Sequence, residues 1–144
     1  VFSMIPALHD AEFLRYGVMH RNTFLDSPRL LDRYYRAKKD PLIAFAGQMT
    51  GVEGYVESTA SGFLAGLSMA RQVLGQELPD FPAETAIGAL AGYISNGSVT
   101  AFQPMNVNFG ILPPLGYKVK GKQNKNIALS ERSLEIIDRI AASL

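Results

Sequence analysis

The alternation of apolar and polar positions divides the chain into short elements followed by longer helices. A short helix or turn is predicted over 4–12 and a short strand over 13–18. Ser27 and Pro28 are typical of a helix start, with the serine as N-cap and the proline in the first turn. The apolar run 42–46 ends at a glycine, which predicts a buried strand of the parallel-sheet type.

The next segment predicts a long helix that begins close to Thr50. Thr50 and Glu53 have the spacing of a capping box, and Gly75 is a good C-terminal stop. Gly62 and Gly66 each cost a helix interior about 1 kcal/mol relative to alanine. We therefore expect that face to pack closely on a sheet or a cofactor. The expected apolar positions are Phe63, Leu67, Ala70 and Leu74.

Two further helices are predicted in the second half of the chain. The first covers 82–95 and the second covers 130–144. Between them, 101–117 holds three prolines and two glycines, which predicts an ordered loop. The inward positions expected for the two helices are Ile87, Leu90, Ala91 and Ile94, then Leu134, Ile137, Ile140 and Ala141.

Composition narrows the class of protein. With 144 residues, 47% of them apolar and 19% charged, the chain is one domain or part of a larger one and too apolar for a disordered tail. The absence of cysteine excludes disulfides, thiolate metal sites and a thiol nucleophile within these residues. We predict no catalytic residue and no metal site here. We also expect no membrane-spanning segment and no signal peptide within these residues.

Charge is unevenly distributed along the chain, although its formal sum is only +1. Residues 41–117 carry one basic and five acidic groups, so this stretch is the best candidate for a buried body. Two modest basic runs flank it, and each is either a solvated face or a contact for phosphates. Their members are Arg29, Arg33, Arg36, Lys38 and Lys39, then Lys118, Lys120, Lys122 and Lys125.

The predicted strand, glycine turn and small-residue helix of 42–66 are the most informative stretch. Free N–H groups and the helix dipole favour an anion at such a helix start. Any strand–turn–helix unit has the same outline, and no GxGxxG or GxxxxGK[ST] motif is present. The pattern alone therefore leaves a functional site and a purely structural turn both open.

The amino-acid sequence of residues 45–66 resembles a known family signature. FAGQMTGVEGYVESTASGFLAG resembles the C-terminal flavin-binding signature of the folate- and FAD-dependent tRNA (uracil-5-)-methyltransferases, the TrmFO or Gid family. Related wobble-uridine-modifying tRNA flavoproteins carry a looser version of this signature. Three other segments agree with the methyltransferase family in the right order: EFLRYGVMHRNTFLDSP, FPAETAIGAL and FQPMNVNFGILPP.

The resemblance implies an α/β fold. The chain would be the helix-rich C-terminal half of a glutathione-reductase-like FAD-binding domain, lacking the N-terminal GxGxxG unit. Residues 1–116 would form the returning part of that domain, and 117–144 its basic segment and C-terminal helix. The missing N-terminal part of the same enzyme would be a partner, and we expect the isolated segment to be inactive.

The resemblance also assigns flavin contacts to the glycine turn. Gly47 and Gln48 would lie along the ribityl or phosphate region of FAD. Thr50, Gly51 and Val52 would present backbone N–H groups to the N1–C2=O edge of the flavin. A helix start stabilises the negative charge that reduced flavin carries at N1 without a mobile cation.

The motif GVMHRNTF supplies a second candidate site, for folate. By resemblance, the ring of His20 would stack on the pterin of methylenetetrahydrofolate, and Arg21 or Asn22 would bond folate or flavin edges. The alternative is that His20 is a buried, hydrogen-bonded residue without a ligand.

The activity implied by the resemblance is formation of 5-methyluridine in the T-loop of tRNA. Methylenetetrahydrofolate would be the carbon donor and reduced FAD the reductant, with NAD(P)H re-reducing the FAD. The enzyme would act in the cytoplasm and without a membrane. The alternatives are a fragment of a wobble-uridine-modifying flavoprotein and a non-catalytic module that binds tRNA or protein.

Overall fold

The computed structural model describes residues 1–14 and 22–144. Two short 3₁₀ helices, Phe2–Met4 and Pro6–Leu8, occupy the exposed N-terminal segment, where a short helix or turn was expected. Most of the strand predicted over 13–18 lies outside the described residues. From Asn22 onward the described chain forms four α-helices and a two-stranded sheet.

Helix α1 is a single turn, Ser27–Leu30, with Pro28 in its first turn as predicted. The prediction of Ser27 as the N-cap is wrong, because Asp26 holds that position. Ser27 is buried, and its hydroxyl donates to the carbonyl of Thr50 at 2.8 Å. The serine that was expected to start a helix therefore fastens this turn to the segment that follows β2.

Strands β1 (Arg36–Ala37) and β2 (Asp40–Ala44) pair antiparallel. The prediction of a buried, parallel-sheet strand is wrong for the described chain, since Leu42 is 69% and Ile43 is 48% exposed. An apolar run indicates that a strand is compatible with burial on both faces. Such burial also requires other elements to pack against each face of the sheet. The described residues supply no such layers around β2.

Helix α2 spans Tyr55–Val73, so it begins five residues later than predicted. The capping box of Thr50 and Glu53 is wrong, because Gly51 and Gly54 have positive φ values of +85° and +92° that interrupt any helix there. Thr50 instead ends a 3₁₀ helix, Gly47–Thr50. The predicted stop is confirmed, with Gly75 left-handed just after the last turn.

The buried face of α2 differs from the predicted one. Phe63 is 57% exposed, and neither Gly62 nor Gly66 has any described atom within 4 Å of an added Cβ. The close packing expected at these glycines is therefore not found within the described chain. The buried positions are Ser61, Leu64, Ala65 and Ser68. Small side chains let α2 approach α3, and the Ser68 hydroxyl is satisfied by the carbonyl of Leu64 in its own helix.

Helix α3 (Ala86–Ser95) confirms the predicted apolar positions: Leu90, Ala91 and Ile94 are buried, and Ile87 is half-buried. The structure shortens the predicted element, because Thr85 is the N-cap. Its hydroxyl oxygen accepts from the Gly88 amide at 3.0 Å. The loop prediction for 101–117 is confirmed as well.

Helix α4 spans Lys122–Ser143, starting eight residues before the predicted helix. The prediction missed Leu129, which is buried and packs on Leu112 and Ala89. Leu134 and Ala141 were expected inside but are exposed, while Ile137 and Ile140 are half-buried. An amphipathic stripe predicts a face, but its exact centre depends on which neighbours reach the helix.

The main core lies between α2, α3 and the segment that carries β1 and β2. Its buried members are Leu31, Tyr35, Val52, Leu64, Ala65, Phe81, Leu90, Ala91, Ile94 and Phe102. Across 1–14 and 22–144, no helix is long and apolar enough to span a bilayer.

Candidate functional site

The segment between β2 and α2 forms a bend, residues 47–54, that is fixed from behind. Gly47 is left-handed at φ +72°, and its amide donates to the Ser61 hydroxyl at 2.8 Å. The Thr50 hydroxyl donates to the Gly47 carbonyl at 2.7 Å. These bonds tie the start of the bend to the second turn of α2 and fix which amides point away from the protein.

The outer side of the bend is formed by Gln48 and Met49, which are both exposed. Gln48 is the second residue of the 3₁₀ helix Gly47–Thr50, so its amide has no acceptor inside that helix. An exposed amide at this position is available to an oxygen atom of a ligand.

The inner side of the bend is formed by Gly51 and Val52, and it joins the loop around Met105. Met105 donates to the Gly51 carbonyl and accepts from the Glu53 amide, both at 3.0 Å. The Gly51 amide donates to the Gln48 carbonyl at 3.0 Å, so it is engaged within the bend. Val52 is 0% exposed, and its amide donates to no acceptor in the part of the chain that the structure describes.

The described chain that follows the predicted folate contacts lies beside the bend. The Leu25 amide donates to the Met49 carbonyl at 2.8 Å, which places the segment after Asn22 beside the bend. Asn22 itself is exposed. His20 and Arg21, the other two predicted folate contacts, lie outside the described residues.

The first basic run is largely engaged in the fold. Arg33 pairs with Asp80 at 2.9 Å, and the Lys38 ammonium donates to the Pro28 carbonyl at 2.7 Å. Arg36 pairs with its neighbour Asp32 at 2.8 Å and is mostly buried. This part of the surface therefore offers less free positive charge than the sequence indicates. No group of three or more His, Asp or Glu side chains that would suit a metal occurs among the residues described.

Comparison with known proteins identifies the family. A family profile described as GIDA, Glucose inhibited division protein A, matches residues 1–77, which is more than half of the chain. The chain belongs to the GIDA family. The matched part includes the whole bend and the whole of α2.

Individual relatives of this GIDA chain extend the match to its C-terminus. The chain is 57% identical over all 144 residues to the methylenetetrahydrofolate--tRNA-(uracil-5-)-methyltransferase TrmFO of Listeria monocytogenes serotype 4b, of which it covers 33%. It is 57% identical to the protein of the same name from Heliobacterium modesticaldum, over 99% of this chain and 32% of the relative. The match to the protein of that name from Bacillus pumilus is 54% over the full chain and 33% of the relative.

The resemblance read from the motifs is thus confirmed, and the chain spans about a third of the length of the relatives it matches. Sequence reasoning missed the residues that hold the GIDA bend in place. Ser27, Ser61 and Met105 lie in other segments of the sequence. None of them is part of a motif that predicts a hydrogen bond to the bend. The only signal was the run of small residues in α2, which was read as a packing surface for a sheet or cofactor.

Proposed function

We propose that this chain is part of a folate- and FAD-dependent tRNA (uracil-5-)-methyltransferase. The observation that carries the proposal is its 57% identity over all 144 residues to a protein named for that reaction. The enzyme would form 5-methyluridine in the T-loop of tRNA, in the cytoplasm. Its carbon donor would be methylenetetrahydrofolate. FAD, when bound, supplies the reducing equivalents, and NAD(P)H renews them.

The finer fold proposal is that the chain is the C-terminal half of a glutathione-reductase-like FAD-binding domain. In this proposal 1–116 forms the returning part of the domain, and 117–144 belongs to the same unit. Two contacts support the second statement. Leu129 packs on Leu112, and the Arg132 guanidinium donates to the carbonyls of Pro113 and Pro114.

The proposed flavin contacts are Gly47, Gln48, Thr50, Gly51 and Val52. One position supports an oxygen-rich ligand at the bend: Gln48 is exposed, and its amide has no acceptor inside the 3₁₀ helix. Val52 is fully buried, so its proposed contact requires the bend to open when the ligand binds. The amide at 51 is engaged inside the bend, so its contact would be through the backbone atoms of the turn rather than a free donor.

The proposed folate contacts are His20, Arg21 and Asn22. Support comes from the bond between the Leu25 amide and the Met49 carbonyl, which brings the chain that follows them to the bend. A histidine ring beside this bend would stack on a flat pterin, and the polar neighbours would hold its edge.

The partner proposed for this chain is the remainder of the same enzyme, in addition to tRNA. The chain covers only 33% of its relatives, and its β2 strand and α2 helix expose large apolar side chains. Large contiguous apolar surface marks an interaction site in a soluble protein. We therefore assign two exposed surfaces to the contact with the missing part: both faces of β2, at Leu42 and Ile43, and the side of α2 that carries Phe63 and the two open glycines.

The test uses the full-length protein that contains this chain and a tRNA transcript that carries no modification. We expect 5-methyluridine to form only when methylenetetrahydrofolate and NADH or NADPH are both present, with flavin visible in the purified protein. Replacing His20→Ala should abolish folate-dependent turnover while leaving the flavin bound. Modification of the wobble uridine instead would assign the protein to the other flavoprotein branch, and no modification at either position would contradict the proposal.

A further inference from the structure

An open cavity of about 520 Å³ lies between the loop that carries Phe109 and the first turns of α4. Its apolar lining is formed by Phe109 and Ile127, which are 45% and 48% exposed, so water reaches both. The rest of the lining is polar and includes Lys122, Gln123 and Asn126. Proteins bind unpaired bases of nucleic acids with this combination: an aromatic ring stacks on the base, polar groups bond its edge and a cation contacts the phosphate.

The polar side chains at this cavity are not used by the fold. Gln123 and Asn126 form no side-chain hydrogen bond among the described residues. The lysines of the second basic run are all exposed and form no ion pair within the same part of the chain. They are Lys118, Lys120, Lys122 and Lys125. Because the first basic run is largely engaged in the fold, the second offers more free positive charge.

The sequence around these lysines contains nothing that neutralises them. No aspartate or glutamate occurs between Glu84 and Glu131, a stretch that includes all four lysines. Lys122 and Lys125 also lie in the first turn of α4, where the helix dipole disfavours a cation and no acidic residue compensates. The stability of the helix therefore does not explain why lysines occupy these positions, whereas attraction of phosphates does.

The loop that carries Phe109 is fastened to itself and to α4. The Asn108 side chain accepts from the Gly110 amide at 2.9 Å, which fixes the turn at Phe109. Farther along the same loop, Leu112 packs on the buried Leu129 of α4. These contacts keep the aromatic ring and the polar residues of α4 together in one surface, which we call the Phe109 surface. It consists of the cavity and the four lysines.

We propose that the Phe109 surface binds tRNA, with an unpaired base stacked on Phe109 and bonded by Gln123 or Asn126, and with the lysines on the neighbouring phosphates. The inference rests on the proposed function, in which tRNA is the substrate. The rest of the enzyme fits this surface less well, because lysine is depleted in interfaces between proteins. None of the residues assigned above to the contact with the missing part lines this cavity.

The first test removes two of the lysines from the full-length protein that contains this chain. For the double variant Lys122→Gln and Lys125→Gln, we expect the dissociation constant of an unmodified tRNA transcript to rise about tenfold at about 0.1 M KCl. The slope of log affinity against log salt concentration should fall by about two, one for each phosphate contact. Fluorescence anisotropy at several salt concentrations measures both.

The matched control is the double variant Lys39→Gln and Arg139→Gln, which removes the same charge at two exposed positions outside the surface. It should bind the tRNA within twofold of the parent. Thermal unfolding and flavin content check that each variant is folded. A Lys122 and Lys125 variant that binds as tightly as the parent would overturn the proposal, and so would a control that loses as much affinity.

The second test concerns the stacked base. Phe109→Leu keeps the site apolar but removes the ring, so it should weaken tRNA binding at least fivefold, about the size of one lost stacking contact. Phe109→Tyr keeps the ring and should bind as the parent does. A blunt-ended RNA duplex has no unpaired base, so its affinity should not change in Phe109→Leu. An unchanged affinity for tRNA, or an equal loss for the duplex, would refute the site.

Formation of 5-methyluridine by the parent protein separates this inference from the proposed function. If the parent modifies the tRNA while the variants bind it unchanged, only the Phe109 surface is refuted. If the parent neither binds nor modifies the tRNA, the proposed function fails and this inference fails with it.

Discussion

Gly51 is the residue in the bend whose identity is fixed most strongly by its neighbours. It has φ +85°, a left-handed value that any Cβ disfavours. An added Cβ would also overlap the ring of Phe102, which packs over it. Phe102 in turn contacts Phe24 edge-on at 6.0 Å, so the glycine lets the aromatic residues from two segments close over the bend.

Gly51→Ala should therefore destabilise the chain by about 3 kcal/mol, the sum of a backbone cost and a steric cost. Gly75→Ala is the matched control, because Gly75 also has a left-handed φ, of +65°, but no atom lies within 4 Å of its added Cβ. The control should lose only the stability that corresponds to the backbone cost, about 1 kcal/mol. Urea unfolding measures the free energy of unfolding of each variant. Equal losses of stability would show that the overlap with Phe102 adds no steric cost.

In this chain, residues that act through their own backbone angles predict local structure better than residues that act through a cap. Pro28 in the first turn of α1 and Gly75 after α2 were predictable because each acts through its own φ angle. The capping box failed because the Thr50 hydroxyl bonds the Gly47 carbonyl within the bend and the Glu53 amide bonds the Met105 carbonyl. A cap depends on which bonds compete for the same groups, and the bond to Met105 comes from a distant segment.

At the scale of the element, α2 shows why an apolar stripe can misplace a buried face. The pattern assigned the larger side chains to the inside, yet Leu64 and Ala65 are buried together with two serines, and Phe63 is exposed. Serine is compatible with burial in a helix because its hydroxyl bonds a carbonyl of its own helix. Nothing in the described chain packs closely on the glycine-bearing face of α2. Packing against α3 therefore does not explain why glycines occupy these two positions.

The double variant Gly62→Ala and Gly66→Ala distinguishes the stability of the helix itself from the proposed contact with the rest of the protein. In the 144-residue chain it should add about 1 kcal/mol of stability per site, because alanine is the better helix former and no described atom opposes either Cβ. In the full-length protein the same variant should lose stability and bound flavin, since the proposed partner surface approaches these glycines. Urea unfolding and flavin content report the two effects. A gain of stability in both settings would contradict contact at this face.

At the scale of the whole molecule, the distribution of charge along the chain and the observed exposure of side chains indicate different buried regions. The low charge of 41–117 predicted a buried body, and the core does draw on α2 and α3. Within the same stretch, however, Leu42, Ile43 and Phe63 remain exposed. The disagreement disappears if the low charge reflects burial in a protein about three times longer, such as the relatives of which this chain covers 33%. In that case composition reports the surroundings of the chain in the longer protein, whereas the fold of this chain shows which surfaces it cannot bury alone.

The exposure of β2 should differ between the 144-residue chain and the full-length protein, and this difference can be measured. Carbene footprinting with mass spectrometry should label Leu42 and Ile43 readily in the 144-residue chain, because both are exposed there. In the full-length protein the labelling of these two residues should fall severalfold, since an apolar strand buried on both faces excludes the reagent. Tyr117, exposed in the loop before α4, is the internal control and should be labelled alike in both proteins. Equal labelling of β2 in both would mean that the rest of the full-length protein does not cover it. The assignment of this face to the missing part would then be wrong, even with the methyltransferase activity intact.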